Sequence, residues 1–123
     1  MSRNLTLLTD LYELTMMQGY FERQANETVV FDMFFRKIPD EGGFAIFAGL
    51  EQVIDFLKNL KFTEEDIAYF RAKNSFNEEF LDYLANFKFE CDVWAMKEGT
   101  VMFPNEPIIT IRGPVIQAQL VET

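Results

Sequence analysis

The chain has 123 residues, about half of them apolar (49%), with fourteen phenylalanines and a formal net charge of −9. That balance fits one folded domain or part of a larger protein, and it excludes a disordered tail and a general nucleic-acid binder, which needs a basic footprint. One cysteine, Cys91, and no histidine exclude an internal disulfide, a Cys/His zinc site and the Ser-His and Cys-His nucleophilic systems within this sequence.

No apolar run approaches the ~20 residues of a membrane span. Met1 to Leu8 is too short, and too interrupted by polar residues, for a signal peptide. The expected setting is therefore the reducing cytoplasm. Asn4-Leu5-Thr6 matches a glycosylation acceptor, but without a secretory signal it is read as chance.

The first predicted helix begins near Thr9 or Asp10. Asp10 with Glu13 three residues later reads as a capping box, and both carboxylates suit the positive end of the helix. Leu14, Met17 and Phe21 share one stripe; Tyr12, Met16 and Tyr20 form a neighbouring row. Apolar residues on more than one side predict cover on more than one side. Thr28 to Arg36 reads as a strand with alternating faces, closed by Arg36 and Lys37; Pro39 and Gly42-Gly43 then mark a loop.

Phe44 to Phe47 reads as a short extended piece. From Gly49 the period turns helical, with Leu50, Val53, Ile54, Leu57 and Leu60 on one stripe. Thr63 with Asp66, and Ser75 with Glu78, read as capping boxes for two further helices. The last third predicts strands: one from Phe89 to Met96, one over Thr100 to Phe103 and one over Pro107 to Arg112. Pro114 suits the first turn of a closing helix that carries Val115, Ile116, Ala118, Leu120 and Val121. With no cap or breaker before Thr123, the expectation is an amino-terminal piece of a longer protein.

Four constellations could carry chemistry. Asp10 and Tyr12 are either a capping carboxylate and a packed ring or a site where the ring stacks on a flat ligand. Arg36 and Lys37 are either a solvated strand end or a phosphate-binding fork and ammonium. Gly42-Gly43 lacks either phosphate-loop spacing and reads as a turn. Glu122 and Thr123 stand together on the closing helix. Cys91 alternates with apolar neighbours and reads as core.

Five ordered blocks resemble the amino-terminal part of nicotinate phosphoribosyltransferase. They are Leu8 to Met16, Phe31 to Pro39, Ala48 to Glu51, Glu98 to Pro107, and Gly113-Pro114 with the ending Gln119 to Thr123. The resemblance implies an α+β fold: the α/β-hammerhead-like first domain of a type II phosphoribosyltransferase, a mixed sheet with flanking helices. It implies a domain over residues 1–113 and, over 114–123, the start of a helix that leads into a catalytic barrel. The implied activity is NAD salvage: nicotinate and phosphoribosyl pyrophosphate give nicotinate mononucleotide and pyrophosphate. ATP coupling through a phosphohistidine and assistance by Mg²⁺ come with the family, neither held by this chain.

By the same resemblance Asp10 and Tyr12 face nicotinate. Arg36, with Lys37 as companion, reaches the phosphates of the sugar donor in trans, across an interface with a second subunit or barrel domain. Without histidine or barrel, the chain alone is expected to be inactive. The alternative is a stand-alone interaction module that kept the fold without the chemistry.

Overall fold

The computed structural model describes residues 4–123. Residues 1–3, part of the leader reading, lie outside the described residues. The order is α1 (Leu11–Glu22), β1 (Thr28–Met33), a 3₁₀ turn at Pro39–Glu41, β2 (Ala45–Ile46), α2 (Leu50–Asn59), α3 (Glu64–Lys73), α4 (Glu78–Ala85), β3 (Asp92–Ala95), β4 (Val101–Met102), β5 (Ile109–Pro114) and α5 (Val115–Leu120). The α+β class holds. Both sheets are antiparallel, so the expected mixed sheet resolves into a three-stranded one, ordered β1-β5-β3, and a β2-β4 pair.

Fourteen phenylalanines need an interior, and the helices supply most of it. Leu14 and Met17 of α1, Phe62, Ile67 and Phe70 around α3, Phe80, Leu81 and Leu84 of α4, and Ile116 and Leu120 of α5 form one buried cluster. Phe80 is its hub, wholly buried, with the rings of Phe76 and Phe21 centred 5.6 and 5.7 Å away. Such tilted contacts suit the ring quadrupoles. A second, smaller cluster of Phe47, Ile108 and Ile109 gathers Leu50 and Val53 of α2 against the sheets.

Helix starts show where local signals held and where packing decided. At α3 the Asp66 amide donates to the Thr63 hydroxyl (3.2 Å) and the Thr63 amide to the Asp66 carboxylate (2.7 Å), the reciprocal box expected there. At α4 the cap is Asn77 rather than Ser75: its side-chain oxygen accepts from the Phe80 amide at 2.8 Å. Asn77 is also held by α1, through Gln18 and Glu22, while the Ser75 hydroxyl turns to the Lys73 carbonyl. At α1, Asp10 occupies the cap position but makes no side-chain capping bond. At α2, Gly49 has no side chain to cap with, and the Glu98 carboxylate accepts from the Gly49 and Leu50 amides at 2.6 and 3.0 Å instead.

Strand β1 stops at Met33, three residues before Arg36. The regular register ends at Met33 and Ile109; beyond it the Ile108 amide donates to the Met33 carbonyl and the Asn105 amide to the Phe35 carbonyl, both at 2.8 Å, so the chains stay joined but out of the ladder's register. At its other end β5 runs on through Gly113 and Pro114, so Pro114 is the last strand residue and not the first helical one. The Val115 amide then donates to the Glu27 carbonyl at 2.9 Å, which fixes the start of α5 beside the start of β1. Gly113 permits this turn because its backbone lies against Cys91: a Cβ there would overlap the thiol and stand 3.0 Å from the Cys91 Cα. Gly113→Ala should therefore destabilise the purified chain by about 1–3 kcal/mol. A denaturant midpoint equal to that of the unsubstituted chain would show that this approach tolerates a methyl group.

Candidate functional site at the entrance of the first helix

The first turn of α1 faces the last turn of α5. Glu27, just before β1, meets the start of α5, and Tyr12, in the first turn of α1, meets Glu122 just past its end. Tyr12 keeps 47% of its surface open. Its hydroxyl donates to a Glu122 carboxylate oxygen at 2.7 Å, with the Thr123 hydroxyl 3.4 Å away. The Thr123 contact lowers the phenol pKa, but Glu122 and Glu13 raise it more, and the balance pushes it up to about 12. Tyr12 is thus a neutral donor throughout the physiological range.

Glu13, expected as a capping residue, is wholly buried. Its place on α1 explains this: it lies one helical turn before Met17 and beside Leu14, on the face that enters the core. Gln119 donates to its Oε2 at 2.5 Å and Thr123 to its Oε1 at 2.6 Å. Burial pushes the carboxyl pKa up, but the polar groups gathered around it, with Gln119 and Thr123 donating to it, outweigh burial and hold Glu13 below the ordinary range. Neither ion pair among the described residues, Arg71–Glu78 or Arg112–Asp92, involves it. The sequence reading missed Glu13, Gln119 and Thr123 as a set. The available signal was a carboxylate on an apolar helical stripe, together with a glutamine inside an otherwise apolar closing helix.

Asp10 is exposed at the start of α1, two residues before the ring. Arg36 and Lys37 are exposed on the bend that follows β1, and neither belongs to an ion pair among the described residues. No hydrogen bond among the described residues joins them to Asp10 or Tyr12. The fold therefore links Tyr12 to Glu122 and leaves the basic pair as a separate element. Burial, helped by Asp92 and Glu90, pushes the Cys91 thiol up to about 11, so it stays protonated and is a poor nucleophile.

Truncation at Glu13 would orphan the Gln119 amide and the Thr123 hydroxyl. Glu13→Ala should cost about 2–3 kcal/mol of stability, read from denaturant unfolding. A depressed folded-state pKa gives stability that is complete above the ordinary value of 4.5 and lost as pH falls through the folded value. The stability curve of Glu13→Gln should accordingly be flatter below that pH; parallel curves would count against an ionised Glu13.

The family described as the nicotinate phosphoribosyltransferase (NAPRTase) N-terminal domain matches residues 7–123. A nicotinate phosphoribosyltransferase of Mycobacterium tuberculosis is 49% identical over 117 residues, covering 95% of this chain and 25% of its own length. That of Bacillus subtilis is 41% identical over 121 residues, covering 98% and 25%. The chain thus spans about a quarter of the length of these curated relatives. The crystal structure of human nicotinic acid phosphoribosyltransferase superposes with a TM-score of 0.82 at 32% identity, over 93% of this chain and 24% of that one. A nicotinate-nucleotide pyrophosphorylase from Pyrococcus furiosus shares the fold at TM-score 0.67 and 19% identity, over 95% of this chain and 23% of that one. Profile, relatives and superposition cover the same stretch, from the α1 entrance to the closing helix, and on them the chain belongs to the nicotinate phosphoribosyltransferase N-terminal domain family.

Proposed function

We propose that this domain forms part of the substrate site of a nicotinate phosphoribosyltransferase of NAD salvage. In that reaction the pyridine nitrogen of nicotinate attacks the anomeric carbon of phosphoribosyl pyrophosphate. The bond from that carbon to pyrophosphate breaks, and pyrophosphate leaves with the electron pair. The observation that carries the reading is Tyr12: a half-open ring at a helix entrance, inside the matched family stretch. Its face suits a planar, electron-poor pyridine. Asp10 stands near the same ligand.

Arg36 is assigned to the phosphates of the sugar donor, with Lys37 as a weaker companion. A guanidinium fork matches phosphate oxygens, and charge at that place would grow as pyrophosphate departs. Both cations are exposed and unpaired among the described residues, which supports a ligand or partner as their counter-ion. Leu8 and Leu11, 77% and 64% exposed beside Tyr12, support an apolar contact with a second subunit or a barrel domain. In the proposal that partner completes the site in trans, within a dimer in the cytoplasm. No helix among the described residues is long and apolar enough to cross a membrane.

ATP and Mg²⁺ belong to the proposal as groups bound outside this chain. The sequence has no histidine to phosphorylate, and among the described residues no cluster of three His, Cys, Asp or Glu side chains suits a metal ion. In the assembled transferase Tyr12→Ala should raise KM for nicotinate about tenfold, as expected when a stacked ring loses its platform. Arg36→Ala should raise KM for phosphoribosyl pyrophosphate about tenfold or more, and Lys37→Ala less. Steady-state kinetics check both. Unchanged nicotinate KM in the tyrosine variant would remove the stacking role, and unchanged donor KM in the arginine variant the phosphate role.

A further inference from the structure

We infer that Glu122 is a positioning residue for Tyr12, holding its ring in the orientation that receives a planar ligand. The inference rests on the stacking role proposed for Tyr12. A half-exposed tyrosine on a first helical turn can sample several staggered rotamers. Here the far end of the ring is tied: the phenol has one proton, and it goes to the Glu122 carboxylate at 2.7 Å.

Proton accounting in the cluster leaves little choice about that tie. The Thr123 hydroxyl also has one proton, and its shortest acceptor is Glu13 at 2.6 Å. Its contacts of 3.4 Å with Tyr12 and Glu122 are longer. Gln119 occupies the other Glu13 oxygen. With its proton given to Glu13, the Thr123 oxygen can only accept from Tyr12, and it stands 3.4 Å from the phenol against 2.7 Å for Glu122, so distance makes Glu122 the acceptor. The buried carboxylate therefore acts at one remove, by setting the direction of the Thr123 hydroxyl near the phenol oxygen. Because the phenol is pushed up to about 12, the donor does not ionise near neutral pH. An orientation fixed before binding lowers the ordering cost when the ligand arrives.

The test is steady-state kinetics of the assembled transferase with four single variants and one double. Tyr12→Phe and Glu122→Ala each remove the tie while keeping a ring, and each should raise nicotinate KM about fivefold, the worth of one ordinary hydrogen bond. Turnover at saturating nicotinate and KM for phosphoribosyl pyrophosphate should stay within about twofold, since a bond that orders the ring before binding acts on nicotinate alone. Glu122→Gln, which keeps an acceptor oxygen, should recover most of the loss. The double variant Tyr12→Phe/Glu122→Ala should be no worse than either single one, because both cut the same bond.

Tyr12→Ala separates the two ideas. If it raises nicotinate KM while Tyr12→Phe and Glu122→Ala do not, stacking stands and positioning by Glu122 is overturned. If Tyr12→Ala changes nothing, the stacking reading fails and takes this inference with it. An additive double variant, or a Glu122→Ala enzyme with lower turnover and both KM values raised, would assign Glu122 to folding and overturn the inference. Should Glu122→Ala not fold, Tyr12→Phe and Glu122→Gln carry the same comparison.

Discussion

Glu13 is buried without an ion pair among the described residues, and the arrangement around it depends on how that charge is accommodated. A carboxylate withdrawn from water is costly unless every lone pair finds a donor. The donors here are an amide and a hydroxyl from the closing helix. The two helices are therefore interdependent: α5 supplies the hydrogen bonds that allow Glu13 to be buried, and α1 supplies the apolar face on which Ile116 and Leu120 rest. Tyr12 is adjacent to Glu13 in sequence, so its position is set by the same contact.

The remaining architecture separates a stiff region from an open one. Phe80 and the rings around it close the helical core, and close-packed interiors have low compressibility. The three-stranded sheet is less covered. Every residue of β3 is exposed, including Val93 and Trp94. Tyr12 is built on the stiff side, where a helix and its tertiary tie can hold a ring within a narrow range of orientations. Arg36 and Lys37 lie past the end of β1, exposed where the chain bends away from the sheet.

Charge sharpens this division. With a formal net charge of −9, the domain as a whole repels phosphates, and a local cation pair must act against that field. Placing Arg36 and Lys37 apart from the Glu13–Glu122 pair reduces the opposition. In the proposed roles each half-site is also chemically simple: an aromatic donor backed by carboxylates for a flat ring, and a fork with an ammonium for phosphate oxygens.

Much of the fold was legible because it rests on local rules. The stripes of α1 and α2, the Thr63–Asp66 box and the alternation in β1 are set by periods of 3.6 and 2 and by side chains bonding to nearby amides. The position of Tyr12 near a helix start was legible for the same reason, and so was the basic pair after β1. What the local rules could not decide were choices between equivalent partners. Asp10 and Glu13 have the spacing of a capping box, yet Glu13 turns inward because Gln119 and Thr123, more than a hundred residues away in sequence, offer it donors. Ser75 and Asn77 could each cap α4, and Gln18 and Glu22 of α1 select Asn77. Pro114 suits a first helical turn, but pairing with Thr28 keeps it in the sheet. The sequence by itself determined which segments become helices and strands and which residues stand near their ends. Only the tertiary structure decided which polar groups are buried together, because that depends on which distant donor arrives to replace water.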